Sequence, residues 1–214
     1  MKILVTAFDP FGGEKSNPAE LAVRNLPDAL GDIQISKLVV PTVFYKSIEI
    51  VSREIENVRP DAVLCIGQAG GRAELSLERV AINLDDARIP DNEGNQPIDS
   101  PIVSDGPAAY FSTLPIKAIT RAIRESGIPA GVSNSAGTFV CNHLMYGVLH
   151  TLATKYPKMR GGFMHVPFAP DQVACRGGSA PSMSISDIGR GIQAAIQAIA
   201  KFEKDIPATE GKTH

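Results

Sequence analysis

The sequence predicts an α/β protein in which a single domain has three layers, α/β/α, around a twisted, mostly parallel but mixed central sheet. Strand-like and helix-like patterns alternate along the chain, which is typical of parallel sheets whose strands are joined by helices. One strand-like segment, 61–67, is a continuous apolar run (DAVLCIG) of the kind that lies buried between two helical layers. No internal repeat, low-complexity tract or linker divides the 214 residues, so residues 1–214 are predicted to form one domain.

The first third of the chain carries the clearest alternation of elements. Asn17 followed by Pro18 is typical of an N-cap with a first-turn proline, and Thr42 is the predicted N-cap of a second, amphipathic helix. β-rich runs bounded by glycine or proline indicate the strands. The predicted elements are a strand at 2–7, a helix from 18 to about 25, a strand at 33–40, a helix from 42 to about 58 and a strand at 61–67.

The pattern changes between residues 68 and 107. One alternating strand is predicted at 77–84, and a long polar loop follows it at 85–101. A loop of this length inside a compact domain is usually functional or mobile. We therefore expect the loop to take part in function or to move.

Helical and strand-like patterns return in the C-terminal half. Leu144 and Val148 lie at helical spacing on one face of a helix that starts near Thr138 and places Cys141 in its first turn. Ser186 is the predicted N-cap of the last helix. The predicted elements are a helix at about 114–126, a strand at 130–133, a helix from about 138, a strand at 162–168, a helix from 186 to about 204 and a frayed tail from about 207.

In a sheet of this kind, ligands collect in crevices beyond the strand ends. Four predicted strands are followed by loops that are expected to converge there. These loops come after Ala7, Gly67, Ser133 and Val166.

The composition is that of an ordinary globular protein and argues against a nucleic-acid partner. Hydrophobic residues make up 43% and charged residues 21% of the chain, and 21 Lys+Arg against 23 Asp+Glu give a net charge of −2. The basic residues are scattered and offset by acids, with no run that would follow a phosphate backbone. Nucleic-acid binding is therefore disfavoured.

The N-terminal segment and the lack of a long apolar stretch predict a cytoplasmic protein. The start MKILVTAFDP lacks the apolar region and the small-residue cleavage site of a signal peptide. No apolar stretch approaches the roughly 18 residues that span a bilayer, so no membrane partner is expected. The three cysteines are an odd number without a CxxC pair, which argues against a disulfide framework and a zinc site.

The three cysteines differ in how well their surroundings suit a nucleophile. Cys65 lies in VLCIG, where a buried structural thiol is expected. Cys175 lies in the loop ACRGGSAPS, without a helix start or a nearby base, and is expected to be an exposed thiol. Cys141 is predicted in the first turn of a helix, where free backbone N–H groups and the helix dipole favour a thiolate and can hold an oxyanion. A core-facing cysteine on an amphipathic helix remains the alternative for Cys141.

His165 is the best placed of the four histidines to act as the base of such a nucleophile. His143 is too close to Cys141 in sequence to face the same way on a helix. His150 is about two turns further along, and His214 is in the tail. His165 lies near the end of a strand, before two prolines, where its side chain can project into the crevice above the sheet. A hydrogen-bonded core histidine remains the alternative.

The acidic member of a catalytic site is harder to choose. Glu78 precedes Arg79 in an alternating strand, so one of the two faces inward, and an inward acid needs a partner such as a histidine N–H. A solvated loop charge is the alternative for every acid near the long loop. No HExxH motif, Cys/His cluster, GxGxxG or P-loop is present, so no metal and no cofactor is predicted.

Five segments together resemble the signature blocks of the pyroglutamyl peptidase I family of cysteine peptidases, also called pyrrolidone-carboxylate peptidases. They occur in the family's order between about residues 4 and 183, and they are FDPFGGEKSNPA, CIGQAGGR, ERVAINLDDARIPDNEGNQP, AGTFVCNH and GGFMHVPF. The resemblance implies an exopeptidase that removes N-terminal pyroglutamyl residues from peptides through a thioester acyl-enzyme, without a cofactor. It also implies a homotetramer.

By this resemblance the catalytic triad falls on Cys141 as the nucleophile, His165 as the base and Glu78 as the third member. Arg88 in DARIP resembles a family arginine near the oxyanion. The resemblance places further residues around an apolar slot for the lactam ring, with an asparagine and a glutamine close to the lactam itself. The expected pocket residues are Phe8, Phe11, Asn17, Gln68, Phe139 and Val140.

Two other functions remain as alternatives. A nucleoside phosphorylase-like enzyme would share the fold that the resemblance implies, but it would need an anion site and no essential thiol. A non-catalytic module that binds peptides or small molecules on the same scaffold would keep its binding after loss of Cys141. Neither alternative explains why a cysteine, a histidine and a glutamate fall together on the family's positions.

Overall fold

A mixed, mostly parallel sheet forms the centre of the structure, a computed structural model that describes residues 1–174 and 179–211. The predictions for Cys175 and His214 therefore lie outside the described residues. The strands are β1 (Lys2–Phe8), β2 (Ala29–Leu30), β3 (Ile33–Val40), β4 (Ala62–Gln68), β5 (Leu75–Glu78), β6 (Val80–Ile82), β7 (Ala109–Phe111), β8 (Ala130–Ser133) and β9 (Arg160–Val166). Within the described residues the central sheet has seven strands in the order β2-β3-β1-β4-β9-β5-β8, and β6 pairs with β7 separately.

Helices cover both faces of the central sheet, which gives the predicted α/β/α arrangement. The helices are α1 (Pro18–Arg24), α2 (Lys46–Val58), α3 (Ile116–Glu125), α4 (Val140–Lys155), α5 (Pro170–Ala174) and α6 (Ile185–Lys201). On one face α1, α3 and α6 pack around a core that includes Leu64 and Ile66. On the other face α2 and α4 pack around a core that includes Val63 and Cys65. Alternate residues of β4 thus face opposite layers, which explains the unbroken apolar run at 61–67.

The strands of the central sheet do not all run in the same direction. β4 pairs parallel with β9, with Gly67 opposite His165, whereas β5 pairs antiparallel with β9, with Glu78 opposite Phe163. β8 is parallel to β5 and therefore also runs against β9. The loops after β1, β4 and β9 converge at one edge as predicted. The segment after Ser133 starts level with Phe163, in the middle of β9, and it also reaches the crevice, because residues 136–139 line it.

The start of α2 differs from the prediction. Thr42 does not cap the helix, because its hydroxyl and its backbone N–H both donate to the Asp9 carboxylate. The N-cap is Tyr45, which has a φ of 58° and makes no capping hydrogen bond through its side chain. Its backbone N–H instead donates to Nε2 of His143, at 2.7 Å. This contact with His143 offsets the energetic cost of the left-handed backbone at Tyr45 and fixes where the helix starts.

The strand predicted at 77–84 is two strands in different sheets. The chain changes partner at Arg79, whose backbone N–H donates to Ser133 and whose carbonyl accepts from Ser112. β5 stays in the central sheet, while β6 pairs with β7, a strand that the sequence did not predict. This change of partner leaves Glu78 at the last position of β5, 0% exposed. Of the pair at 78 and 79, the acid is therefore the inward residue.

The C-terminal region also departs from the prediction. Ser184, rather than Ser186, caps α6, because its side chain accepts from the N–H of Asp187. The tail, expected to fray from about 207, is held at Glu210, whose carboxylate accepts from both terminal nitrogens of Arg124. The short elements β2 and α5 were not predicted. None of the helices in the described residues combines the length and the apolar character that crossing a bilayer requires.

Candidate active site

A cavity of about 590 Å³ opens beyond the carboxyl ends of β4 and β9, on the face that α4 covers. Its volume is typical of a small-ligand site. The wall includes Cys141 and His165 together with residues from the segments 11–14, 68–70, 86–89 and 136–139. The crevice beyond the strand ends, where ligands were expected, thus contains the two residues that were expected to react.

Cys141 is the second residue of α4, and its thiol lies against the sheet. No side chain caps the start of this helix, and the backbone N–H groups of Cys141 and Asn142 have no partner among the described residues. These donors and the helix dipole can stabilise a developing negative charge. A Cβ atom added at Gly67 would lie 3.0 Å from Sγ of Cys141 and 2.8 Å from Cζ of Phe163. A glycine in β4 therefore allows the thiol to approach the sheet this closely.

Glu78 holds the imidazole of His165 across the antiparallel pair of β5 and β9. Glu78 lies opposite Phe163, which makes Glu78 and His165 diagonal neighbours on one face of the sheet. Nδ1 of His165 lies 2.7 Å from Oε1 of Glu78. Nδ1 is the donor, because Oε1 also accepts a hydrogen bond from an arginine. In the neutral imidazole this leaves Nε2 without a proton and available as a base.

The arginine that shares Oε1 of Glu78 is Arg72, from the loop after β4. Its Nη1 lies 2.7 Å from Oε1, and its side chain is 29% exposed, whereas that of Glu78 is 0% exposed. Burial alone would raise the pKa of Glu78, but the hydrogen bond from His165 and the charges of His165 and Arg72 outweigh burial and lower it. The second carboxylate oxygen, Oε2 of Glu78, makes no hydrogen bond to a described residue. Ser133 lies opposite Glu78 on β8, but its hydroxyl donates to the carbonyl of Ser135 instead.

Burial of the Cys141 thiol opposes the thiolate that the helix start was expected to favour. Burial raises the pKa of the Cys141 thiol to about 12, and the negative charge of Glu78 adds to the shift, while Arg72 opposes it. Loss of hydration thus acts against the helix dipole. Attack by this sulfur therefore depends on a base that takes the thiol proton.

His143 and His150 are engaged elsewhere in the structure. Nδ1 of His143 lies 2.8 Å from Asp85, and its Nε2 accepts from the N–H of Tyr45. Both His143 and Asp85 are 0% exposed. Nδ1 of His150 lies 3.0 Å from the hydroxyl of Tyr110. Neither of these two histidines lines the cavity, whereas His165 does.

Three of the six predicted pocket residues, together with Arg88, lie on the cavity wall. The rings of Phe11 and Phe139 are 6.2 Å apart and give the wall an apolar part. Gln68 is 8% exposed, and its Oε1 accepts from Nε2 of Gln172 at 3.0 Å. That bond fixes the orientation of the Gln68 amide.

The other three predicted pocket residues lie behind the wall of this cavity. Phe8 is 1% exposed and packs in the core against Phe163. Val140 is 0% exposed in the same core. Asn17 is the N-cap of α1, with its side-chain oxygen accepting from Ala19 and its amide donating to the carbonyl of Asp9. Both polar groups of Asn17 are therefore used to hold the loop that precedes α1.

Buried hydrogen bonds hold the long loop at 85–101 against the site. The carboxylate of Asp91 accepts from the backbone of Phe44 and from the backbone and side chain of Asn95. Burial alone would raise the pKa of Asp91, but these hydrogen bonds lower it. The side chain of Asn92 donates to the Asp9 carboxylate in the loop after β1. The loop is thus joined to the neighbouring loops that border the cavity.

Two residues that support the site, Arg72 and Gln172, are not among the predicted site residues. Arg72 stands directly after a glycine pair in the block CIGQAGGR, which was a usable signal. Gln172 lies in a short helix without a recognisable pattern, and no local signal marks it. Among the described residues, no group of three or more His, Cys, Asp or Glu side chains could hold a metal ion.

The whole chain is similar to known pyroglutamyl peptidases. The sequence model of the pyroglutamyl peptidase family matches residues 1–202. A pyrrolidone-carboxylate peptidase 1 from Streptococcus pneumoniae serotype 4 is 59% identical over 215 residues, covering 100% of both chains. A pyrrolidone-carboxylate peptidase from Streptococcus pyogenes serotype M12 is 58% identical over 216 residues, again covering 100% of both. The crystal structure of pyroglutamyl peptidase I from Bacillus amyloliquefaciens matches with a TM-score of 0.94 and 49% identity, over 97% of this chain and 99% of that one. The chain therefore belongs to the pyroglutamyl peptidase family.

Proposed function

We propose that this protein is a cysteine exopeptidase that removes an N-terminal pyroglutamyl residue from peptides through a thioester acyl-enzyme. The observation that carries the proposal is a thiol and an imidazole on one cavity wall, Cys141 and His165, with Glu78 bonded to His165 at 2.7 Å. The relatives are named for this activity, which favours it over a phosphorylase or a binding module. We assign the activity to one catalytic domain that comprises the whole chain.

The reaction is an acyl transfer in two steps. As Sγ of Cys141 attacks the pyroglutamyl carbonyl carbon, the thiol proton passes to Nε2 of His165. The backbone N–H groups at the start of α4 hold the oxyanion, and Arg88 adds a positive charge at the wall. The C–N bond then breaks, and the departing amine takes the proton from His165. Water attacks the thioester and gives one proton to His165, which returns it to the sulfur as the C–S bond breaks. Glu78 stabilises the imidazolium in both steps.

The wall of the cavity suits a neutral lactam ring, which has no α-amine for an acid to bind. Phe11 and Phe139 provide apolar ring faces against which the flat lactam can pack. The Oε1 atom of Gln68 is occupied by Gln172, so the amide nitrogen of Gln68 remains to donate to the lactam carbonyl. Recognition then requires no charged group on the substrate.

The direct test is hydrolysis of a pyroglutamyl amide of an aminocoumarin. The purified protein is expected to release the fluorophore. The matched control is the prolyl amide of the same fluorophore, whose ring lacks the lactam carbonyl and carries a charged amine, and it is expected to react at least ~100-fold more slowly. Equal rates would contradict recognition of the lactam. A folded protein that does not cleave the pyroglutamyl amide would contradict the proposed function.

Iodoacetamide is expected to modify Cys141 before Cys65. Burial raises the pKa of both thiols to about 12, so access rather than ionisation separates them. Cys65 is 0% exposed, whereas Cys141 borders the cavity. The two rates are measured by peptide mapping in a Cys175→Ser background, because Cys175 lies outside the described residues.

The same mapping tests the resting state of the thiol. The rate of Cys141 modification is expected to keep rising above pH 9, since its pKa is raised, and 2-pyrrolidone, the bare ring, is expected to slow it. Modification of Cys65 first, or a rate at Cys141 that is already constant at pH 7, would contradict the assignment.

We also propose that the enzyme is cytoplasmic, and that it forms a homotetramer, as the family resemblance implies. Cys65 and Cys141 are free thiols, which suits a reducing compartment. Phe111 and Ile98 are each 67% exposed, and subunit contacts would cover such large apolar side chains. Sedimentation equilibrium is expected to give four times the mass of the chain, and a monomer at micromolar concentration would rule the tetramer out.

A further inference from the structure

We infer that Arg72 is a positioning residue of the proposed triad, one that acts through Glu78 and sets the pH range in which the Glu78–His165 pair accepts the thiol proton. The inference rests on the proposed function, because it concerns the same triad. It goes further in giving a role to a residue that does not line the cavity. The observation that carries it is the shared oxygen, Oε1 of Glu78, on which Nη1 of Arg72 and Nδ1 of His165 both donate at 2.7 Å.

The burial of the two partners explains why Glu78 needs this arginine. Glu78 is 0% exposed, and a carboxylate without hydration either takes up a proton or requires a permanent cation beside it. A protonated Glu78 could not stabilise an imidazolium. Arg72 is permanently charged, and its side chain is 29% exposed, so its remaining N–H groups can keep solvent contact. Arg72 thus keeps Glu78 ionised, while its own guanidinium loses only part of its hydration.

The other charged groups near the pair do not replace Arg72. Arg79, the next residue in the chain, is turned away, with its side chain donating to Asn134 and to the carbonyl of Glu210. Glu74 follows Arg72 in the same loop, and α4 contributes the thiol of Cys141. The remaining charged groups that line the cavity are Glu14, Asp86 and Arg88. Among the described residues, Arg72 is the only arginine or lysine that forms an ion pair with Glu78.

Sharing one oxygen makes the arginine and the imidazole competitors for the same negative charge. Arg72 therefore weakens the hold of Glu78 on a proton at His165 and keeps the imidazole free to accept one from Cys141. Removal of the fixed positive charge raises the proton affinity of the coupled pair as a whole, whichever of its members carries the proton. Without Arg72, the Glu78–His165 pair therefore binds its proton at a higher pH than in the wild type.

The test compares the pH dependence of kcat/KM in Arg72→Gln, Arg72→Lys and the wild type. Arg72→Gln is expected to move the acid limb to higher pH by about one unit, the effect of one nearby charge, so that activity below the limb falls ~10-fold more than on the plateau. Arg72→Lys is expected to keep most of the wild-type profile, because Arg72 reaches Glu78 through a single nitrogen. Arg24→Gln, which removes an arginine from an exposed pair with Glu20, is the matched control and is expected to leave the profile unchanged.

A second measurement keeps the inference separate from the proposed activity. The pH dependence of Cys141 alkylation requires no peptidase activity, and in Arg72→Gln it is expected to shift to higher pH, because Arg72 acts against the raised pKa of the thiol. If the wild type does not cleave pyroglutamyl amides, the proposed function fails and alkylation alone decides the role of Arg72. Arg72→Met serves if Arg72→Gln does not fold. An unshifted acid limb in a folded neutral variant of an active enzyme, or an unshifted alkylation profile in an inactive one, overturns the inference.

Discussion

Cys141→Ala is expected to lower kcat/KM for a pyroglutamyl amide by at least ~10³-fold while leaving the fold intact. Without the sulfur no thioester forms, and the imidazole of His165 can only activate water directly. The side chain of Cys141 borders the cavity, so its loss enlarges that cavity and leaves no closed void in the core. The measurement is the initial rate of fluorophore release, together with the circular dichroism spectrum and the melting temperature of the variant.

The matched control is Cys65→Ala, which removes a thiol of the same type from the adjacent strand. Cys65 is 0% exposed and does not line the cavity, so this variant is expected to keep its activity within about threefold while losing roughly 1 kcal/mol of stability. Full activity in Cys141→Ala, or equal losses in the two variants, would mean that Cys141 is not the nucleophile.

Glu78→Gln is expected to lower kcat/KM by ~10²- to 10⁴-fold. The amide oxygen can still accept the hydrogen bond from Nδ1 of His165, but it carries no charge to stabilise the imidazolium. The substitution also leaves the guanidinium of Arg72 without its anion. Glu125→Gln, at an exposed position on α3, is the control and is expected to keep wild-type activity. Comparable activity in the two variants would remove Glu78 from the triad.

Glu78→Gln is also expected to change how the stability of the folded protein depends on pH. The pKa of Glu78 is lowered in the folded state, so its ionised form stabilises the fold above the unfolded carboxyl pKa of about 4.3. That contribution is lost as the pH falls through the lowered folded pKa. The melting temperatures of wild type and Glu78→Gln are therefore expected to differ most near neutral pH and to converge in acid. A difference that widens in acid would contradict an ionised Glu78.

Elements that depend on local patterns could be predicted from the sequence. The capping role of Asn17, the buried strand at 61–67 and the position of Cys141 in the first turn of a helix are all set by neighbouring residues, and the structure has each of them. The roles of the candidate catalytic residues were less clear from local patterns. Local patterns left a structural alternative open for Cys141 and for His165, and the family blocks were needed to choose between the alternatives.

Features that depend on distant contacts could not be predicted. Tyr45 caps α2 because its N–H reaches His143, 98 positions further along the chain, and Thr42 lost that role to a contact with Asp9. The layer that Phe8 and Val140 face was also not evident from local patterns, because the direction of a side chain at the end of an element depends on the layer that covers it. The chain's change of sheet at Arg79 likewise follows from pairing with strands that come later in the sequence.

The antiparallel pairing of β5 with β9 affects the order in which the active site forms during folding. The bond between Glu78 and His165 joins residues 87 positions apart, and β5 finds both of its neighbours, β8 and β9, only in the later part of the chain. Contacts of such separation form slowly, because a long loop must close before they are made. During refolding, the helix turn that carries Cys141 is therefore expected to form before Glu78 and His165 are paired. Recovery of peptidase activity should accordingly follow the slow non-local steps rather than the early appearance of helical circular dichroism.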